Sequence, residues 1–305
     1  MLSFDSTARG VIAGIGHGTT KDGPGWRSIV YFKGCNFRCG WCGSPETSNF
    51  RNELLLYPGM EKYPGRAVAS CPKGAVTVSG DRGATETNRS ICNNCETIEC
   101  ADACIDGSRE RTGRLVTIDD VLAEILPYRR FHSEYGVTLS GGEVTCQWIF
   151  FLELLKAFKS NGLHTAAETN GSFDLFPDSL PWLDLAVIDL KHPDPKRHAA
   201  LTGFSNNVVL ENIRIAAGRG KELWVRIPLL PGINDGPDLD ASAALLAPLK
   251  EKIKIEILGY HRIGVPKWAA LGREYNFHRL EPPDEAQIET ARALFRGKGF
   301  NIIVT

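Results

Sequence analysis

The sequence predicts an α/β fold built on a mostly parallel sheet with helical crossovers, and three of its features do so. From Leu115 onward, short apolar runs alternate with stretches that carry apolar residues at helical spacing, the pattern of strands joined by crossover helices. The residues best suited to chemistry fall where those runs end, and in such folds function gathers at the carboxyl ends of the strands. Residues 51–113 break the pattern with turns, polar residues and the five cysteines Cys71, Cys92, Cys95, Cys100 and Cys104. The expected organisation is a glycine-rich start with a first cysteine run over 1–50, a small cysteine-rich insert over 51–113, and the rest of the α/β unit over 114–305.

Ile29–Phe32 is an apolar run and reads as the first strand, directly ahead of Cys35. Val121–Arg130 reads as a helix, Gly136–Leu139 as a short strand, and Trp148–Ser160 as an amphipathic helix. Leu163–Ala167 and Leu183–Leu190 follow as strands, Val208–Ala217 as a helix and Glu222–Leu229 as a further strand. A helix across Leu239–Leu249, a strand over Lys254–Leu258, a helix over Pro283–Arg296 and the apolar tail Phe300–Val304 complete the alternation.

Bulk properties narrow the function. A composition of 43% hydrophobic and 23% charged residues is ordinary for a globular chain, and 305 residues suffice for one large domain with an insert. The formal net charge is -1 and no basic run is present, so nucleic-acid binding is not expected. No apolar stretch reaches transmembrane length and no apolar signal core opens the chain, which sets the expectation of a cytoplasmic protein without membrane attachment. Seven of the nine cysteines lie in clusters before residue 101, a spacing of metal ligation in a reducing compartment rather than of a secreted disulfide frame.

Cys35, Cys39 and Cys42 form a C-x3-C-x2-C run. Three thiolates on one tight loop can hold three irons of a cubane and leave the fourth iron open to an outside ligand. The alternative is zinc, completed by a remote histidine or cysteine. Phe37 and Trp41 stand between the thiolates as candidate shields, and Lys33 and Arg38 are either tuning charges or solvent-facing ones.

In the insert, Cys71 precedes a proline, and Cys92, Cys95, Cys100 and Cys104 follow at x2, x4 and x3 spacing. A ferredoxin repeat sends the cysteine before proline to the other repeat's cluster. By that logic Cys71, Cys92, Cys95 and Cys100 ligate one closed 4Fe-4S cluster. Cys104 in place of Cys71 or Cys100, or a structural zinc site, stays open. An electron relay and a shaped partner surface are both available roles. Further along, Gly141, Gly142 and Glu143 close a strand: the glycines let backbone approach a ligand, and the carboxylate can accept from an ammonium. Glu168 and Asp189 are strand-end carboxylates, Lys191 a strand-end lysine, and Cys146 a candidate buried thiol.

The cysteine run after a first strand resembles the hallmark of the radical S-adenosylmethionine enzymes. Its surroundings are narrower. Asp22-Gly-Pro-Gly-Trp-Arg27, Pro45-Glu46, Ser140-Gly-Gly-Glu143, Glu168-Thr-Asn-Gly171, Asp189-Leu-Lys191, Leu201-Thr-Gly203, Arg226-Ile-Pro228 and Leu258-Gly-Tyr-His261 resemble, in order and over nearly the whole chain, the activating enzymes of glycyl radical enzymes. The resemblance implies a partial (β/α)6 TIM-like barrel with a ferredoxin-like insert. It implies S-adenosylmethionine bound at the open iron, its reductive cleavage to a 5'-deoxyadenosyl radical, and hydrogen abstraction from a glycine Cα of a large glycyl radical enzyme held transiently. A flavodoxin or ferredoxin supplies the electron, and the chain is expected as a monomer.

Residue by residue, the resemblance gives Gly141, Gly142 and Glu143 to the methionine amino group, Lys191 and Arg226 to its carboxylate, and His261 to the nucleoside. Asn170 and Gly171 shape the pocket floor. Glu168, Thr169 and Asp189 resemble a monovalent-cation site, and Asp22 an aspartate that contacts the target backbone, with Gly14–Gly25 lining the substrate mouth. The chain departs from the family in three ways: it lacks ligands for a second auxiliary cluster, Val144 stands for a proline, and Glu168 for an aspartate. A small-molecule or peptide substrate, and a non-catalytic electron carrier or zinc scaffold, are the alternatives.

Overall fold

The computed structural model describes residues 4–79, 84–132 and 134–304. Strand β1 (Arg9–Thr19) runs antiparallel to β2 (Arg27–Phe32), pairing Ile12 with Phe32 at one end and Thr19 with Arg27 at the other. The first glycines are thus a strand. Gly10 shows why they are glycines: a Cβ there would stand 2.1 Å from the Phe150 ring. The cysteine-rich stretch adds β3 (Leu54–Leu56), α1 (Pro64–Ala69), β4 (Val76–Ser79), β5 (Ala84–Thr87), α2 (Arg89–Cys92), α3 (Glu99–Asp102) and β6 (Arg109–Arg111). These form two small antiparallel pairs, β3 with β6 and β4 with β5. β7 (Arg114–Thr117) returns to the main sheet beside β1.

From there the alternation is regular. α4 (Ile118–Ile125) starts on a reciprocal cap in which Thr117 and Asp120 bond each other's backbone N–H. It stops earlier than its periodicity predicts, because Pro127 turns Leu126–Phe131 into a 3-10 segment. β8 (Gly136–Gly141), α5 (Trp148–Ser160), β9 (His164–Thr169) and β10 (Leu185–Asp189) follow. So do α6 (Pro195–Thr202), α7 (Asn207–Gly218), β11 (Glu222–Leu229), α8 (Pro237–Leu246), β12 (Lys254–Gly259), α9 (Val265–Ala270), α10 (Glu285–Gly297) and β13 (Asn301–Ile303). Pro248 likewise ends the regular part of α8 ahead of the predicted boundary.

The main sheet has nine strands in the order β13-β12-β11-β10-β9-β8-β2-β1-β7. Every neighbour pair from β2 to β13 is parallel, whereas β1 pairs antiparallel on both sides. This mixed, partly parallel sheet is consistent with a partial barrel. Phe150, Phe151, Leu154, Leu155 and Phe158 of α5 pack against Phe32, Leu139 and Val144 in one continuous core. Removing a side chain such as Leu154 would cost about 2–5 kcal/mol. Parallel strands fix one direction, so all their carboxyl ends, and the loops after them, meet on one side. No helix among the described residues is long and apolar enough to cross a membrane.

Candidate active site

The loop after β2 carries the first three cysteines, and backbone bonds hold it on three sides. Gly34 N and Cys35 N donate to Thr47 O and Ser48 O at 2.7 and 3.0 Å, Arg38 N donates to Thr202 O at 2.8 Å, and Glu143 N donates to Gly34 O at 2.8 Å. Gly34 sits at φ +88, and a Cβ there would strike the Phe50 ring at 2.2 Å, so only glycine serves the turn. Phe37 is buried and stacked on Phe204, and Trp41 is buried against Phe277, which fits a shielding role. Lys33 differs from expectation: it is fully buried, with Nζ donating to Glu46 O at 2.6 Å and Thr112 Oγ1 at 3.0 Å. It braces the loop from behind. Arg38 is exposed and donates to Cys35 O and Phe37 O.

A cavity of about 580 Å³ opens at the carboxyl ends of the parallel strands, within the range that holds a small cofactor. Cys35, Cys39 and Cys42 line it together with Gly141, Gly142, Glu168, Thr169, Asn170, Asp189, Lys191, Arg226 and His261. Segments far apart in sequence are thus brought together. Burial pushes all three thiols up, Cys39 to about 11. Thiols in such a place stay protonated until a metal takes the proton's place. Among the described residues no three His, Cys, Asp or Glu side chains gather around a single point as one metal ion requires. Three thiols on one loop beside a cavity are a donor set that fits a cubane with one open iron. Asn170 Nδ2 lies 3.9 Å from Cys35 Sγ and 2.9 Å from Asn36 Oδ1.

Glu143 is placed otherwise than expected. Its side chain is fully buried. Oε1 accepts from Thr145 N, Thr145 Oγ1 and Thr169 Oγ1 at 3.1, 2.6 and 2.6 Å, and Oε2 accepts from Asn170 N at 2.7 Å. The carboxylate fastens the end of β9 to the turn after β8, and the cavity wall of this motif is Gly141 and Gly142. Asp22 also lies outside the lining. Its carbonyl accepts from Thr138 Oγ1 at 2.6 Å and its carboxylate from Thr19 Oγ1 at 2.6 Å, toward the amino ends of the strands. Burial, then the nearby Glu168 charge, raise its pKa. The turn of the glycine-rich segment therefore sits at the opposite end of the sheet from the cysteine loop. Cys146 is half-buried, and burial raises its pKa to about 11.

The residues expected around a monovalent cation have found other partners. Glu168 Oε1 pairs with Arg226 Nη2 at 2.7 Å, and its Oε2 accepts from Ser140 Oγ at 2.7 Å. Asp189 Oδ2 pairs with Lys191 Nζ at 2.7 Å, and Thr169 Oγ1 donates to Glu143. Burial pushes the Glu168 pKa up, but the Arg226 charge and the hydrogen bonds from Arg226 and Ser140 together hold the carboxyl below its ordinary value. Side-chain cations pair with both carboxylates in this structure. Arg226 also pairs through Nε with Glu256 Oε2 at 2.6 Å. Glu256, buried between Ile255 and Ile257 of β12, carried one faint signal, a charge inside an apolar strand. Tyr260, Trp268, Arg273 and Asn276 also line the cavity. Trp268 lies in the short α9 and the others in the loops around it, and no periodic pattern marks them.

In the insert, Cys71, Cys92, Cys95 and Cys100 lie within electrostatic reach of one another. Cys104 turns to its own loop, with Sγ 3.1 Å from Asp106 Oδ1 and accepting from Arg109 N at 3.3 Å. Ile98, in the gap between Cys95 and Cys100, is left-handed at φ 49. It is buried against Leu54 and Cys100.

A cysteine triad at the exit of the first parallel strand, facing a cofactor-sized cavity across that sheet, defines the radical S-adenosylmethionine class, and the Radical SAM superfamily model matches residues 29–243. The chain is 33% identical to the indoleacetate decarboxylase activating enzyme of Tractidigestivibacter scatoligenes, covering 100% of both chains. It is 34% identical to the isethionate sulfite-lyase activating enzyme of Desulfovibrio desulfuricans, covering 90% of each. To the 4-hydroxyphenylacetate decarboxylase activating enzyme of Clostridioides difficile it is 29% identical, over 98% of this chain and 96% of that one. The protein belongs to the glycyl-radical-enzyme activating-enzyme family of the Radical SAM superfamily and is an oxidoreductase of that type.

Proposed function

We propose that this protein generates the radical of a large glycyl radical enzyme, holding one open 4Fe-4S cluster through Cys35, Cys39 and Cys42 and S-adenosylmethionine in the cavity beside it. The observation that carries this reading is the convergence of the three cysteines with Gly141, Gly142, Lys191 and His261 on one cavity. When bound, the cluster and S-adenosylmethionine would supply reductive carbon–sulfur cleavage and, through it, hydrogen abstraction from a backbone glycine of the partner. The chain's own residues orient that chemistry. The backbone of Gly141 and Gly142 receives the methionine amino group. Lys191, paired with Asp189, would meet the methionine carboxylate, and Arg226, whose Nε and Nη2 are engaged by glutamates, would offer Nη1. His261, packed over Gly43, flanks the nucleoside. Phe37 and Trp41 keep water from the cluster loop.

Cys71, Cys92, Cys95 and Cys100 would hold a second, closed cluster, as an electron relay or a shaped partner surface, and a flavodoxin or ferredoxin would be the reductant. The partner complex is transient, the activase itself monomeric and cytoplasmic. Anaerobic reconstitution with iron and sulfide should give about eight irons per chain, and reduction with S-adenosylmethionine should give 5'-deoxyadenosine. Replacing Cys35, Cys39 and Cys42 together should remove about four irons and all cleavage, whereas Cys104→Ser should keep both. A reconstituted, reduced protein that leaves S-adenosylmethionine intact would refute the reading.

A further inference from the structure

The wall of the cavity formed by α9 and the residues after it is pinned from two sides. Toward the first cysteine loop, Trp268 Nε1 donates to Cys42 O at 3.0 Å, Lys267 pairs with Glu46, and Arg273 Nη1 donates to Ser48 Oγ at 2.9 Å. Toward the insert, Arg273 Nη2 pairs with Glu53, and Arg89 adds a second polar link that starts from a cysteine-bearing helix. Arg89, the first residue of the helix that ends in Cys92, donates from Nη1 to Leu54 O at 3.0 Å and from Nη2 to Ala270 O, the last residue of α9, at 2.5 Å. Its stem lies on Gly272, where φ is +67 and a Cβ would stand 3.2 Å from Arg89 Nε. Ala270 and Leu271 pack on Leu55 beneath it. The same guanidinium feels the charge of Cys92 and Cys100.

We propose that Arg89 is a positioning residue that couples the metal content of the insert to the S-adenosylmethionine cavity, by tying the Cys92 helix to α9 and so fixing Trp268 and Arg273 in the cavity wall. The inference rests on the proposed function, because it takes both cysteine groups as cluster sites. An anionic cluster on Cys92 and Cys100 holds the guanidinium where its planar fork meets both carbonyls. When the insert is empty that anchor is lost, and the wall keeps only the Arg273–Glu53 pair and the Leu55 packing on that side. Linkage makes the coupling reciprocal: if a filled insert tightens cofactor binding, bound cofactor must retain the insert's irons by the same factor.

Two measurements on the reconstituted full chain test this. Equilibrium dialysis gives the S-adenosylmethionine Kd of the parent, Arg89→Met, Arg89→Lys and Gly272→Ala proteins, each with its iron count. Arg89→Met and Gly272→Ala should keep about eight irons and weaken binding roughly tenfold. KM should rise while kcat holds, and Arg89→Lys, with one donor group instead of a fork, should recover part of the loss. In the second measurement, a chelator removes iron from the unmodified protein with and without S-adenosylmethionine, and the cofactor should slow loss of the insert's cluster by a similar factor. An Arg89→Met protein with full iron and parental Kd, or chelation of the insert at one rate in both conditions, overturns the proposal. A parent protein that fails to bind S-adenosylmethionine at all would instead overturn the proposed function.

Discussion

Glu143 owes its value to what it fastens. A buried carboxylate accepting four hydrogen bonds from Thr145, Thr169 and Asn170 is tolerated only because those donors face it. Glu143→Gln would turn an amide donor toward at least one of them and should cost about 1–3 kcal/mol, read as a lowered urea midpoint. Cofactor affinity should fall with it, because Thr169 and Asn170 line the cavity. At Glu168 the longer side chain reaches Arg226, and the guanidinium already balances its charge. Cleavage of S-adenosylmethionine should therefore proceed equally in sodium, potassium and tetramethylammonium buffers. A loss of rate in tetramethylammonium would show that a small monovalent ion is needed after all. The cysteines, the two glycines and the strand-end charges are legible in the chain because their spacing is itself the chemistry. The inward turn of Glu143 and the pairing of Arg226 with Glu256 are decided by contacts between strands, which no local pattern encodes.

At the scale of elements, periodicity reads best where one face is buried. Trp148–Ser160 is a helix over its full predicted span, and Glu222–Leu229 a strand over its own. Helix ends read less well, because Pro127 and Pro248 act on the last turns. β1 hides behind its glycines, which resemble a loop until Phe150 is seen lying on Gly10. Gly10→Ala should therefore destabilise the fold by about 1–3 kcal/mol through overpacking and leave the iron count unchanged. α9 spans only Val265–Ala270, too short for a periodic signal, although it carries the wall opposite the cysteines.

For the whole molecule, titration follows from where histidines lie. His17, His164 and His198 are each held below 6.5, in every case chiefly by burial. The unfolded chain binds more protons in the window between those depressed values and 6.5, so their contribution is fully present above 6.5 and is lost as the pH falls through the folded values. The urea midpoint should decline as pH drops below 6.5, and His164→Gln should flatten that decline. A midpoint that rose on acidification would contradict the burial of these rings.

Ile98 gives the insert a further property. A β-branched residue held left-handed costs about 1–2 kcal/mol, and such a conformation lasts only while its surroundings enforce it. Iron bonds to Cys95 and Cys100 would clamp the arc at both ends. Were oxygen to strip the proposed iron, the arc would be the segment with most to gain by letting go. Damage would then begin as a local unravelling at the periphery, while the nine-stranded sheet remained standing to be refilled.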